Sequence, residues 1–126
     1  MRKYDYTELV AWQRAMDLAA AVYDASRSMP VPERYGLTAQ MRRAAASIPA
    51  NVAEGQGRRT CGEFLNHLSM AHGSVRELET HVVLAERLHM MDGGAAKGIL
   101  ERAAEVGWLI NGLSNSLERR TSHSER

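Results

Sequence analysis

Between Phe64 and Ala85 apolar residues return every three or four positions: Phe64, Leu68, Ala71, Val75, Leu78, Val82 and Ala85. That period lays one row of side chains along a single helix face and is incompatible with the alternation of a strand. It predicts a long helix from about Cys61 to Met90, packed on a neighbour at a shallow crossing angle. Thr60-Cys61-Gly62-Glu63 reads as a capping box at its start.

Three further segments carry the same period. From about Thr7 to Ser28 the stripe is Leu9, Trp12, Met16, Ala19 and Tyr23, widened by Val10, Ala15, Leu18 and Val22. Asp5 and Glu8 form a second capping box, and Pro30 and Pro32 end the segment. From about Glu33 to Glu54 the stripe is Leu37, Met41, Ala44, Ile48 and Val52, and Gly55 is the expected left-handed cap. From about Gly94 to Leu117 it is Ile99, Ala103, Val106, Ile110, Leu113 and Leu117. Gly93-Gly94-Ala95-Ala96-Lys97-Gly98 is a weak helix start that should fray. Four amphipathic helices with short connectors predict an all-α fold, an antiparallel up-down-up-down four-helix bundle over residues 1–117. The polar segment 118–126 lacks apolar anchors and is expected to be a disordered tail. At 126 residues the chain makes one domain, large enough for a core without disulfides or metals.

One residue breaks the helical pattern. Pro49 has no N–H, and its ring clashes with the carbonyl of Ala45, which costs about 3 kcal/mol in a helix interior. The second helix should therefore kink there, with the small run Ala44-Ala45-Ala46 letting a neighbouring backbone come close. Ser47 and Asn51 flank the proline and can bond backbone groups that the kink frees. Glu54 sits at the helix C-terminus, where its charge opposes the dipole. It needs a cation, which Arg42, Arg43, Arg58 or Arg59 could supply. Ser47, Pro49, Asn51 and Glu54 thus read as a structural network, with a ligand or partner contact as the alternative.

Net charge is +1, but its distribution is uneven. Residues 34–59 hold five arginines (34, 42, 43, 58, 59) against the single acid Glu54. Residues 60–92 hold five acids (63, 77, 79, 86, 92) against Arg76 and Arg87. Either the two helices neutralise each other, or the basic one faces a polyanion or an acidic partner. For Arg42-Arg43 and Arg58-Arg59 the choices are solvated helix ends and phosphate contacts. Arginine forks suit phosphate oxygens and give affinity without base choice. No aromatics are interleaved with them for stacking on single-stranded bases.

Catalytic chemistry finds little support. A di-iron bundle needs two Glu-x-x-His pairs, and only Glu86-Arg87-Leu88-His89 supplies one. Glu63/His67 and Glu77/His81 read as exposed polar pairs four residues apart. His72, near the core stripe, reads as a partly buried structural histidine. Cys61 has no histidine at a catalytic spacing, so oxidation is its expected reactivity. No catalytic residue, metal or cofactor is predicted. The lone cysteine, the absence of an apolar signal core after Met1-Arg2-Lys3 and the absence of a membrane-length apolar run predict a cytoplasmic protein with no membrane contact. Trp108 and Leu109, Leu65 and Leu84, and Leu18 and Val22 lie beside the stripes. They mark either a subunit interface or a broad core.

The chain resembles the four-helix-bundle proteins named for open reading frames in 23S rRNA intervening sequences. Trp12-Gln13-Arg14-Ala15-Met16 opens the match, and the run from Arg34 to Ala45 and Ser47-Ile48-Pro49-Ala50-Asn51-Val52-Ala53-Glu54-Gly55 carry its most specific part. Gly57-Arg58-Arg59, Glu63-Phe64-Leu65, Gly73-Ser74, Glu77-Leu78-Glu79-Thr80, Asn111-Gly112-Leu113 and Ser116-Leu117 continue it. The resemblance implies a ring-like homopentamer without enzyme activity. More remotely, the chain is similar to the accessory variability protein of diversity-generating retroelements, a bundle that binds a reverse transcriptase and nucleic acid. The expected function is a non-enzymatic oligomeric scaffold or adaptor. It would bind structured RNA, DNA or a reverse transcriptase through Arg42, Arg43, Arg58 and Arg59. A pure oligomerisation module is the second expectation and a small di-metal enzyme the third.

Overall fold

The computed structural model describes residues 5–124. Within them lie four α-helices and no strand: α1 Val10–Ala25, α2 Leu37–Gln56, α3 Cys61–Arg87 and α4 Gly93–Ser124. Single 3-10 turns at Tyr6–Glu8, Ser26–Ser28 and Val31–Glu33 complete the described structure. Each helix packs on its chain neighbours, and α1 also packs on α4. Ser47 meets Ser74, Asn51 meets His67 and Gly55 meets Phe64, so α2 and α3 run in opposite directions. Arg42, in the second turn of α2, reaches back to Ser26, just past the end of α1.

The core rows of α2, α3 and α4 match the sequence pattern. Met41, Ile48, Val52, Leu68, Val75, Leu78, Val82, Val106 and Ile110 are all sealed from solvent. Each such side chain contributes roughly 1.5–3 kcal/mol of transfer free energy. On α1 the core row differs from expectation. Ala11, Ala15, Leu18 and Val22 are buried, whereas Met16 and Tyr23 are each 44% exposed. Two adjacent rows on α1 are apolar, and the smaller one fits the space between α2 and α4. The bulkier row lies at the margin, where Trp12 packs edge-on against Tyr6, ring centroids 5.3 Å apart. Leu18 and Val22 are therefore core residues and supply no second apolar face.

The helix ends depart from the sequence reading in several places. Asp5 accepts from the Thr7 N–H and caps the 3-10 turn, and α1 starts only after Leu9. Gly55 is no left-handed cap, since no described glycine has positive φ. It lies buried inside α2, which closes at Gly57 with ordinary αR geometry. A Cβ on Gly55 would stand 2.7 Å from the Cβ of His67, so the glycine serves the close approach of α3. Thr60 caps α3 as expected, accepting from the Glu63 N–H at 3.1 Å. Glu63 reaches back to the Arg59 N–H rather than to Thr60.

The end of α3 is a Schellman turn. Met90 N–H donates to Ala85 O and His89 N–H to Glu86 O, with His89 at φ 59° in the position that glycine usually takes. The start of α4 is firm despite its glycines. Asp92 Oδ2 accepts from the N–H groups of Gly94 and Ala95, and Ala96 and Ile99 are buried. The cap and the two anchors offset the poor propensity. Beyond Leu117, α4 continues to Ser124 where a disordered tail is expected. The rest of that expected tail, 125–126, lies outside the described residues.

Candidate functional site

The second half of α2 faces α3 through a chain of polar groups. The helix runs unbroken through Pro49, which is buried. Ser47 Oγ bonds the Ala44 carbonyl at 2.8 Å and shares a 2.6 Å hydrogen bond with Ser74 Oγ on α3. Asn51 Nδ2 donates to the Ser47 carbonyl at 2.9 Å. Both residues thus bond backbone carbonyls beside the proline, but neither reaches that of Ala45, the one that Pro49 leaves without its usual donor.

The Asn51 amide is oriented by that bond to Ser47, which turns Oδ1 toward α3. His67 Nδ1 meets it at 3.2 Å, so the ring carries its proton on Nδ1. The same nitrogen lies 3.6 Å from Glu54 Oε2, and Glu54 Oε1 lies 3.4 Å from Arg58 Nη2. Of the four arginines that could answer Glu54, Arg58 does so, by a helical i,i+4 pair. With both side chains about half exposed, the pair contributes about 0.3–0.5 kcal/mol. Among the described residues, Asn51 bonds Ser47 directly and reaches Glu54 only through His67, and Pro49 lies among them without donating.

His67 was missed. It is only 8% exposed and seated against Gly55, not in a surface pair with Glu63. Its position three residues after Phe64 and one before Leu68 puts it on the core row, and its polarity concealed that. His81 is likewise half-buried rather than paired with Glu77, with Nδ1 enclosed and lacking a hydrogen-bond partner. His72 is half-buried, as expected.

The arginines separate into different situations. Arg42 is committed within the fold: Nε donates to Ser26 Oγ at 2.8 Å, Nη2 to Tyr23 O at 3.4 Å, and the guanidinium lies 4.8 Å from the Tyr23 ring centroid. It thereby neutralises the C-terminal end of α1. Arg43 and Arg59 are exposed, and neither side chain pairs with an acid among the described residues. Arg43 lies thirteen residues before the end of α2 at Gln56, roughly 20 Å at ~1.5 Å rise per residue, and Arg58 lies beyond that end, so the four do not form one patch. None of Arg34, Arg42, Arg43 and Arg59 forms a side-chain ion pair with an α3 acid among the described residues. Direct ion pairs with α3 therefore leave these four charges unneutralised.

Among the described residues no group of three His, Cys, Asp or Glu side chains is placed to hold a metal ion. Glu86 is on α3, but His89 lies beyond its end in the left-handed turn, so the Glu-x-x-His pair does not share a helix face. Cys61 is exposed at the first position of α3. Leu65 and Leu109 pack partly against the core, while Leu84 is 42% and Trp108 75% exposed. No described helix is long and apolar enough to cross a membrane.

A family model described as 23S rRNA-intervening sequence protein matches residues 7–112. Among solved structures, the chain is similar to a protein with unknown function from the S23 ribosomal protein family of Bacteroides thetaiotaomicron VPI-5482. The two share 19% identity over 83% of this chain and 98% of that one, with a TM-score of 0.78. At that identity the likeness concerns the fold alone. No curated protein matches the chain significantly.

Proposed function

Because the chain belongs to the 23S rRNA-intervening sequence protein family, we propose that it is a non-enzymatic helical adaptor. It assembles with copies of itself, as a pentamer, and contacts structured RNA or an RNA-handling protein such as a reverse transcriptase in the cytoplasm. The observation that carries the nucleic-acid part is the exposure, without acid partners among the described residues, of Arg43 within α2 and Arg59 just beyond it. Arginine forks so placed suit phosphate oxygens of a folded RNA. Arg58 would join them by exchanging Glu54 for phosphate. Arg42 is a positioning residue of the fold and belongs outside the test.

Binding of a structured RNA, titrated against salt, tests the reading. Each lost phosphate contact should flatten the log–log slope by about 0.7–0.9. Alanine at Arg43, Arg58 and Arg59 together should lower affinity and slope in parallel. Affinity that ignores salt, or that survives the triple substitution, would sink the nucleic-acid part. A second reading is a pure oligomerisation module; Trp108, 75% exposed on α4, suits the subunit interface that both readings require. Sedimentation of a stable assembly that never retains RNA would select it.

A further inference from the structure

Where α1 ends and α2 begins, the chain encloses a cleft of about 240 Å³ whose lining includes Ser26, Arg27, Pro30, Arg34, Thr38 and Arg42. Three arginines line it and no acidic residue does. Arg42 gives two of its five N–H donors to Ser26 and Tyr23, which fixes its fork and leaves three over. Arg34 is exposed, with no partner among the described residues. Arg27 is held only by a 3.9 Å contact to Asp24, both side chains being about four-fifths exposed. An independent sign comes from Thr38, which is 6% exposed, and whose Oγ1 is sealed from solvent with no hydrogen-bond partner. A buried hydroxyl left unsatisfied is costly and calls for an acceptor.

We propose that this cleft binds a phosphate group, with Arg27, Arg34 and Arg42 around the dianion and the Thr38 hydroxyl, sealed in the free chain, turning about χ1 to donate to one of its oxygens. Three cations, of which only Arg27 has a counter-acid among the described residues, the distant and exposed Asp24, match a dianion better than a monocarboxylate. The volume lies below the roughly 300–1,000 Å³ of sites that enclose whole small molecules, so the cleft takes the phosphate and leaves its substituent outside. Thr38 lies in the first turn of α2, whose N-terminal dipole adds to the attraction. Glu33 already occupies the Leu37 N–H, so the ligand faces the side chains of this end rather than its first amide. The proposal stands apart from the adaptor reading, since its measurement uses phosphate and folded chain with no structured RNA present.

Heteronuclear NMR of the full chain titrated with inorganic phosphate tests it, with chloride at matched ionic strength and acetate as comparisons. Saturable shifts should centre on Thr38, Arg34 and Ser26. Arg34→Ala should weaken them about ten-fold and Thr38→Val several-fold, with the remaining spectrum unchanged. Arg34 is exposed, so its removal leaves the fold intact. A 5′-phosphorylated dinucleotide that outcompetes its 5′-hydroxyl form and inorganic phosphate assigns the source to a polynucleotide end. Equal affinity for inorganic phosphate and the monoester assigns it to free phosphate. Shifts that merely follow ionic strength, equal acetate, or persist in the Arg34→Ala/Thr38→Val double variant overturn the proposal.

Discussion

Asn51 Oδ1 and His67 Nδ1 meet 3.2 Å apart across the α2–α3 interface, and each fixes the other's orientation. The Asn51 amide is held by the Ser47 carbonyl, so it cannot turn to suit a different partner. The nearly buried His67 in turn stands against Gly55 through its Cβ. One hydrogen bond thus secures the closest approach of the two helices.

Removing one side of that bond should cost more than removing both. Asn51→Ala leaves a nearly buried imidazole N–H with Glu54 as its remaining acceptor, at 3.6 Å. The expected loss is about 1–3 kcal/mol. A double-mutant cycle with His67→Leu, read by urea denaturation, should give a coupling energy above about 0.5 kcal/mol. Additive losses would show that the two residues do not act as a pair.

Gly55 and Gly73 should respond to alanine with opposite signs. At Gly55 the new methyl would stand 2.7 Å from His67 Cβ and 3.0 Å from Phe64, forcing the helices apart. Overpacking of that kind costs about 1–3 kcal/mol, more than the ~0.5–1 kcal/mol gained in helix propensity. Nothing lies within 4 Å of the position a Cβ would take on Gly73. Gly73→Ala should therefore stabilise by about 0.5–1 kcal/mol. Thermal melts of the two variants compare them directly.

His89 holds the left-handed position of the turn that closes α3. A residue with a Cβ is strained there, whereas glycine is not. His89→Gly should raise stability by about 0.5–1 kcal/mol, measured as a higher denaturation midpoint with an unchanged denaturant slope. A loss of stability would mean that the imidazole makes a contact worth more than the strain.

Pro49→Ala restores a backbone donor to α2 and removes the ring clash. In a peptide spanning α2 the change should raise helicity. In the whole chain, the helix already runs through Pro49 and the ring is buried, so the gain should stay below the ~3 kcal/mol of an exposed helix. Self-association should weaken if the proline shapes a subunit surface. Analytical ultracentrifugation of wild type and variant separates the two effects, and an unchanged assembly would confine the proline to a role within the monomer.

Much of this was legible in the chain. Leu68, Val75, Leu78 and Val82 declare their helix because period and side-chain size agree. On α1 two apolar rows compete, and bulk favours the wrong one: Met16 and Tyr23 outweigh Ala11 and Ala15 in hydrophobic surface, yet the row of Ala11, Ala15, Leu18 and Val22 is the buried one. Gly55 looks like a helix stop because glycine has two uses, left-handed geometry and close approach, and only the position of α3 decides between them. Ser47, Asn51 and Glu54 could be grouped from their spacing around Pro49. Their principal partner His67 could not, because a lone polar residue on a core row carries no mark of its burial. Arg42 and Arg43 are neighbours of one type, and only the place of Tyr23 and Ser26 distinguishes the structural one from the solvated one.

From Leu117 to Ser124, α4 continues past the last side chain it is known to bury. Glu118, Arg119 and Arg120 are exposed, so these three residues draw little on the shared core. Such a segment obeys helix–coil statistics rather than the all-or-none transition of a packed domain. On warming, it should unwind gradually from its C-terminal end while the bundle remains intact. Far-ultraviolet ellipticity would then slope before the cooperative transition, while the tryptophan emission maximum, reporting chiefly the half-buried Trp12, stays level. A mismatch between the two probes would reflect this one helix end and not an intermediate in the unfolding of the bundle.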